Sequence, residues 1–232
     1  GEWSGPVSDP PPAVASVIGT MRDQGKCVVM YMRTIGEANA LGRLLDIAAM
    51  LPAGRFGFVI VGQGPCLPFL KSQSKRMGLP NVVFVPAVAK SSVPSVLQEA
   101  DILYAGNRPF PLYRYGTSFN KVVDYMMAGK PIVTVTAGTA DPVALAGCGI
   151  AVAEDSIASA AAAIRELGEL SEQERSGLGD KGKRYALEHF DYRLLARRFL
   201  AGIQAVTATG AETVSCTKSY AQDRGGDQHE PE

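Results

Sequence analysis

The chain has 232 residues, 46% of them hydrophobic and 20% charged, which supplies a core for one large domain or two small ones. Lys plus Arg equals Asp plus Glu at 23 each, so there is no basic excess of the kind a nucleic-acid-binding face needs. No apolar run reaches the ~18 residues of a membrane span, and no signal peptide opens the sequence. The first residue is Gly rather than Met, as in a fragment or a processed chain.

Residues 1–12 are rich in Pro, Gly and Ser and read as a linker. A short helix is expected over Ala13 to Asp23, so residues 1–25 make a linker and short helix. Cys27 to Tyr31 is a continuous apolar run and reads as a buried parallel strand. The loop from Thr34 through Gly36 to Asn39 follows, then an amphipathic helix marked by Leu41, Leu44, Leu45, Ala48 and Ala49 and ended near Pro52.

Phe56 to Val61 reads as a second strand, closed by Gly62-Gln-Gly-Pro65. That turn is half of a dinucleotide fingerprint. The third glycine is missing and the turn does not follow the first strand, so NAD is not expected. Residues 66–78 form a basic amphipathic helix, Asn81 to Val85 a third strand, and Ser91 or Ser92 caps a short helix through Ala100. Ile102 to Ala105 is the fourth strand. A long loop, residues 106–117, leads away from it, and loops of that length usually carry function or are disordered.

The next stretch is the most informative. Ser118 is a good helix N-cap, and Val122, Val123, Met126 and Met127 give an apolar face. Gly129 suits the left-handed residue that ends a helix, and Pro131 opens the strand to Val135. Free amides at the helix start favour an anion, and Lys121 adds a positive charge. Asp124 stands at i+3 from Lys121 and i+4 from Asn120, on their face. A phosphate at the amides and a sugar diol at Asp124 fit this spacing; an ordinary capped helix with a solvated charge pair fits it as well.

Asp141-Pro142 starts another short helix, and Gly149 to Val152 is a sixth strand. Helices are expected over 156–169, 171–188 and Tyr192 to about Ala205, with residues 207–232 a polar, disordered tail. Strands alternating with helices predict an α/β, Rossmann-like, doubly wound parallel sheet of about six strands in the order 3-2-1-4-5-6. The loops after the first and fourth strands then meet at the switch point, where ligands bind. The four cysteines (Cys27, Cys66, Cys148, Cys216) contain no C-x-x-C pair and build no metal cluster with His189 and His229. No metal and no cofactor are expected, and a reducing cytosol fits reduced thiols.

The run R-Y-G-T-S-F-N-K-V-V-D-Y-M-M-A-G-K-P-I-V, from Arg114 to Val133, resembles the donor-binding segment of retaining family-4 glycosyltransferases of the GT-B fold. It is most similar to the bacterial branch that transfers N-acetylated amino sugars. The likeness covers about residues 27 to 200 and implies that 26–206 is the C-terminal, donor-binding half of a GT-B fold. It implies a UDP-activated, N-acetylated sugar as donor substrate, used in surface polysaccharide or glycoconjugate assembly. The donor site it implies comprises Arg33, Thr34 and Gly36 on the loop after the first strand, Val85 at the third strand's end, and Arg114, Tyr115, Gly116, Thr117, Ser118, Asn120, Lys121 and Asp124.

Departures from the family pattern are specific. The phosphate-loop Arg and Lys fall on Thr34 and Asn39, so both charges are absent, while Arg33 stands at a usual glycine. Of the two glutamates in E-x7-E, the first falls on Gly116 and the second on Asp124. Pro86 replaces a glycine, so base contacts are expected from Val85 or Ala87. The residues before Cys27 are too few to be an acceptor-binding half, so no catalytic residue is assigned. The implied partners are a nucleotide sugar and an N-terminal acceptor-binding domain or subunit. Without it, Phe199, Leu200 and Ile203 of the last helix are expected to be exposed. The implied location is the cytoplasm or the inner face of the membrane, with peripheral association of the complete enzyme. Two alternatives stand beside this reading: a catalytically silent nucleotide-sugar-binding subunit or half of a split enzyme, and a sugar-nucleotide epimerase.

Overall fold

Continuous apolar runs become strands buried on both faces. In the computed structural model, β1 (Cys27–Met32), β2 (Phe56–Val61), β4 (Ile102–Gly106) and β5 (Ile132–Thr136) are buried almost throughout. Helices cover both sides of an all-parallel sheet, so its central strands lose the polar alternation of a half-exposed sheet. The structure describes residues 3, 8–108, 120–136, 141–153 and 156–213.

The remaining strands are β3 (Val82–Val85) and β6 (Gly149–Ala153). The helices are α1 (Pro12–Asp23), α2 (Leu41–Met50), α3 (Leu67–Arg76), α4 (Val93–Gln98), α5 (Asn120–Met127), α6 (Pro142–Ala146), α7 (Ile157–Glu169), α8 (Glu172–His189) and α9 (Tyr192–Thr213). Among the described residues the sheet has six strands in the order β3-β2-β1-β4-β5-β6, all parallel, as the alternation of elements requires. β1 and β2 stay in register from Cys27–Phe56 to Met32–Val61. β1 and β4 pair only at Val29–Ile102 and Met30–Leu103, then part. That parting is the switch point of the sheet.

One core lies between the sheet and α2 and α7. Tyr31, Phe56, Phe58, Ile60 and Tyr104 meet Leu41, Leu44 and Leu45 of α2 and Ala160, Ile164 and Leu167 of α7. The Ala-rich face of α7 lets that helix approach closely.

Some local expectations are corrected. α5 buries Val122, Tyr125 and Met126, whereas Val123 and Met127 are half-buried, so the face turns toward Tyr125. Ser92 precedes α4, but its hydroxyl makes no capping bond, because a 3-10 turn over Lys90–Ser92 leads directly into the helix. Asp141 does cap α6, accepting from Val143 N–H at 2.8 Å. Gly129 ends α5 with φ +68°.

Contacts divide the chain into two units, Gly1–Glu188 and His189–Glu232. In the second, α9 continues past Thr207 to Thr213. Its Phe199, Leu200 and Ile203 side chains are exposed. Among the described residues no helix is long and apolar enough to cross a membrane.

Ile164 is fully buried on the α7 face of the core. Ile164→Ala is expected to lower unfolding free energy by about 2–5 kcal/mol in a denaturant melt, the range for a large-to-small core change.

Candidate functional site

Two segments meet where β1 and β4 part. The first is the loop that leaves β1 through Arg33, Thr34, Ile35 and Gly36 into a 3-10 turn at Glu37–Asn39. The second is the first turn of α5. The loop is held from below by the Gly62–Pro65 turn. Arg33 N–H donates to Val61 O at 3.2 Å, Ile35 N–H to Gln63 O at 2.9 Å, and Cys66 N–H to Ile35 O at 3.1 Å.

This support explains the two glycines. Gly62 (φ +151°) and Gly64 (φ +156°) lie in backbone conformations that side chains rarely adopt. A Cβ on Gly62 would stand 2.0 Å from Arg33 O, and one on Gly64 would stand 2.3 Å from Ile35 O. The half-fingerprint therefore works as a bracket for the neighbouring loop. From above, Tyr31 OH and Asn39 Nδ2 both donate to Thr34 O at 2.8 Å.

The cations and the carboxylate of the site are cross-linked between the two segments. Lys121 donates from Nζ to Asn39 Oδ1 and to Gly106 O at 3.5 Å, and lies 5.3 Å above the Tyr31 ring. Arg33 pairs with Asp124, Nη1 to Oδ2 at 3.2 Å. Trp3 donates its indole N–H to the other oxygen of Asp124 at 3.3 Å. Lys121 and Asp124 share a helix face, yet each reaches across to a different partner. The β4 end is tied to the same loop, through Arg108 N–H to Ala38 O at 3.0 Å, the Arg108–Glu37 ion pair, and Arg43 Nη1 to Asn107 O at 3.1 Å.

Beside these groups lies a cavity of about 210 Å³. Arg33, Thr34, Gly62, Gln63 and Asp124 form its polar wall, and Ala87, Val88, Val93 and Leu97 its apolar wall. The lining suits a ligand with a charged end and a weakly polar end.

The structure thus brings Arg33, Thr34, Lys121 and Asp124 together, with Gly36 in extended backbone at the loop's turn and Asn120 exposed at the start of α5. Val85 is buried, and its carbonyl accepts from Gly62 N–H at 3.0 Å, while Ala87 and Val88 reach the cavity. Arg114, Tyr115, Gly116, Thr117 and Ser118 lie outside the described residues, as does Tyr113. Sequence reasoning missed Trp3 and gave Asn39 only as a lost lysine. Trp3 is the single tryptophan, set in a stretch otherwise typical of a linker, and that isolation is the signal that could have marked it.

Burial and the nearby Arg33 guanidinium pull the Lys121 ammonium down from 10.5 to about 8. Burial pushes the Cys27 and Cys148 thiols up to about 12, so both stay protonated and unreactive at neutral pH. Among the described residues no group of three or more His, Cys, Asp or Glu could hold a metal.

The sequence profile described as "Glycosyl transferases group 1" matches residues 26–169, more than half of the chain. The chain belongs to this glycosyltransferase family. No curated protein sequence matches it. Among solved structures, this group 1 glycosyltransferase chain is similar to HepE of Anabaena in complex with UDP-glucose, with TM-score 0.66 and 18% identity over 84% of this chain and 53% of HepE. It is also similar to WaaG, a glycosyltransferase involved in lipopolysaccharide biosynthesis, with TM-score 0.59 and 18% identity over 76% of this chain and 47% of WaaG. A third is the catalytic domain of cholesterol-α-glucosyltransferase from Helicobacter pylori, with TM-score 0.58 and 13% identity over 70% of this chain and 98% of that one. These likenesses share the Rossmann-like sheet of GT-B glycosyltransferases. The chain spans about half the length of WaaG and HepE.

The lowered Lys121 value has a consequence for stability. Its folded value, about 8, lies below the ordinary 10.5, so in that window the unfolded chain holds the proton more tightly. Stability therefore gains a rising contribution between about pH 8 and 10.5, and none from this group below 8, where both states are protonated. Denaturant melts across that range should rise less steeply for Lys121→Met than for the parent chain.

Proposed function

We propose that the chain is the donor-binding domain of a retaining, family-4 type glycosyltransferase, with residues 26–206 forming the domain. The donor is a UDP-activated, N-acetylated sugar, and the product a surface polysaccharide or glycoconjugate. An acceptor-binding half completes the enzyme, which works in the cytoplasm or at the inner face of the membrane. The observation that carries the reading is the meeting of Lys121 and Asp124 on α5 with Arg33 and Thr34 across the crevice where β1 and β4 part. HepE and other structural neighbours hold UDP or UDP-sugars, and the WaaG likeness favours glycoconjugate assembly.

Each group has a task. Lys121 and Arg33 offset the diphosphate charge, replacing the cations absent at Thr34 and Asn39. Asp124 accepts from the two ribose hydroxyls. The base lies against Ala87, Val88 and Leu97. Arg114, Tyr115, Gly116, Thr117, Ser118 and Asn120 complete the phosphate and sugar contacts. Arg33 and the Trp3 indole, which hold the two oxygens of Asp124, must release it for this. The ion pair is half-exposed, and such pairs contribute about 0–1 kcal/mol. Binding thus exchanges an internal ion pair for two ligand contacts, one to each of its former members.

The Arg33–Asp124 pair also favours a second reading, a nucleotide-sugar-binding subunit without catalysis. Turnover of a UDP-sugar by the chain joined to an acceptor-binding half supports the enzyme, and binding without turnover supports the subunit.

UDP at 100 times its dissociation constant should add about 2.7 kcal/mol of stability, or roughly 2–4 °C in melting temperature per kcal/mol. NAD should give no shift. Lys121→Ala and Asp124→Ala should abolish the UDP shift while keeping a cooperative melt. Because Lys121 binds the anion in its protonated form, UDP affinity should fall above about pH 8, by up to about tenfold per pH unit. Absence of any UDP shift at millimolar concentration contradicts the proposal.

A further inference from the structure

Backbone groups inside a sheet must find partners, and β1 shows an exception that is filled by a side chain. Val28 turns its polar groups toward the β4 side, its N–H donating to Asp101 Oδ2 at 2.7 Å and its C=O accepting from Asp101 N–H at 2.9 Å. Met30 is matched with Leu103. Two residues on, Met32 should turn the same way, yet β4 has already moved off and offers it nothing. Met32 is buried, so its backbone groups need a protein group to replace the missing strand.

One oxygen does so. The Tyr125 hydroxyl accepts from Met32 N–H at 3.0 Å and donates to Met32 C=O at 3.2 Å. A phenol has one proton to give and lone pairs to receive, so it matches the pair of backbone groups completely. Tyr125 is about 1% exposed, and burial raises its phenol above the ordinary value, so it keeps the proton it donates. Its neighbours give the contact its meaning. Asp124 immediately precedes it, and Lys121 lies one turn earlier on α5. Arg33 and Thr34 immediately follow Met32.

We propose that Tyr125 is a positioning residue for the nucleotide site: its hydroxyl stands in for the absent strand at Met32 and fixes α5 against the β1–α2 loop, so that Lys121 and Asp124 face Arg33 and Thr34. This rests on the donor-site reading above. The ring is buried and forms part of the cavity wall. The hydroxyl alone sets the register between the two halves of the site. Tyr125→Phe keeps the first and deletes the second, leaving a buried N–H and C=O at the foot of the loop.

The test uses the full chain and three variants. UDP dissociation constants are measured by calorimetry, with melting temperatures and amide hydrogen exchange at Met32 and Arg33. Tyr125→Phe should weaken UDP binding about tenfold, because a site loosened at its base loses aligned contacts, and should speed Met32 exchange at least about tenfold. Ile164→Ala, in the core on the α7 side, should melt lower yet bind UDP as the parent does. Asp124→Ala should lose UDP while Met32 exchange stays slow. A Tyr125→Phe chain that melts lower but keeps the parent's UDP affinity makes the residue structural only and overturns the proposal, as does unchanged Met32 exchange. A parent that binds no UDP overturns the donor-site reading and this inference with it. If Tyr125→Phe does not fold, the parent carries the test. UDP should slow exchange at Met32 and Arg33 more than at α7 amides, and equal slowing overturns the coupling.

Discussion

The site exists because two neighbouring strands stop pairing before they end. β1 and β4 are matched only at Val29–Ile102 and Met30–Leu103, whereas β1 and β2 are matched along six positions. The parting follows from chain order: β1 is followed by a crossover to β2 on one side, while β4 on the other continues toward β5, so the connections leave in opposite directions. A crevice opens there, walled by the loop after β1, the turn after β2, the segment after β3, α4 and α5. Every polar contact described at the site spans that crevice or braces one of its walls.

Under the proposed function, the charges across the crevice are exchanged for contacts to the ligand. Arg33 and Asp124 meet in a half-exposed pair, too weak to resist a ligand that offers each a better partner. Lys121 is different. It is buried enough to lose much of its hydration, and Asn39, the Gly106 carbonyl and the Tyr31 ring hold it with no full countercharge among the described residues. An ammonium group in that state gains strongly from an arriving anion, since its desolvation has already occurred. The loop that presents Arg33 is rigidly bracketed by the Gly62–Pro65 turn, so little ordering cost remains when a ligand binds.

Much of this was legible in the chain itself, for identifiable reasons. Strands buried on both faces read as unbroken apolar runs, so Cys27–Tyr31 and Phe56–Val61 stood out. The parallel sheet followed from the alternation of strands with helices, and its order is the one usual for that class. Lys121 and Asp124 were marked by spacing on one helix face. Contacts of large sequence separation were not legible. Trp3 meets Asp124 across 121 positions, and the Tyr125 hydroxyl meets Met32 across 93. Tyr125 was not singled out, because a pattern cannot show which backbone groups a fold leaves without partners. Asn39 looked like a lost cation, when in the fold it holds the cation supplied by α5. The glycines of the Gly62–Pro65 turn looked like half a cofactor motif, when their task is to let the Arg33–Ile35 backbone pass close by.

The most direct measurement is an amide chemical-shift titration of the full chain with UDP. The account predicts that the largest changes fall on Arg33, Thr34, Lys121 and Asp124, with smaller ones at Ala87 and Val88 and none along α7. Changes centred on α7 or scattered evenly over the sheet, with Arg33 and Lys121 unmoved, would contradict it.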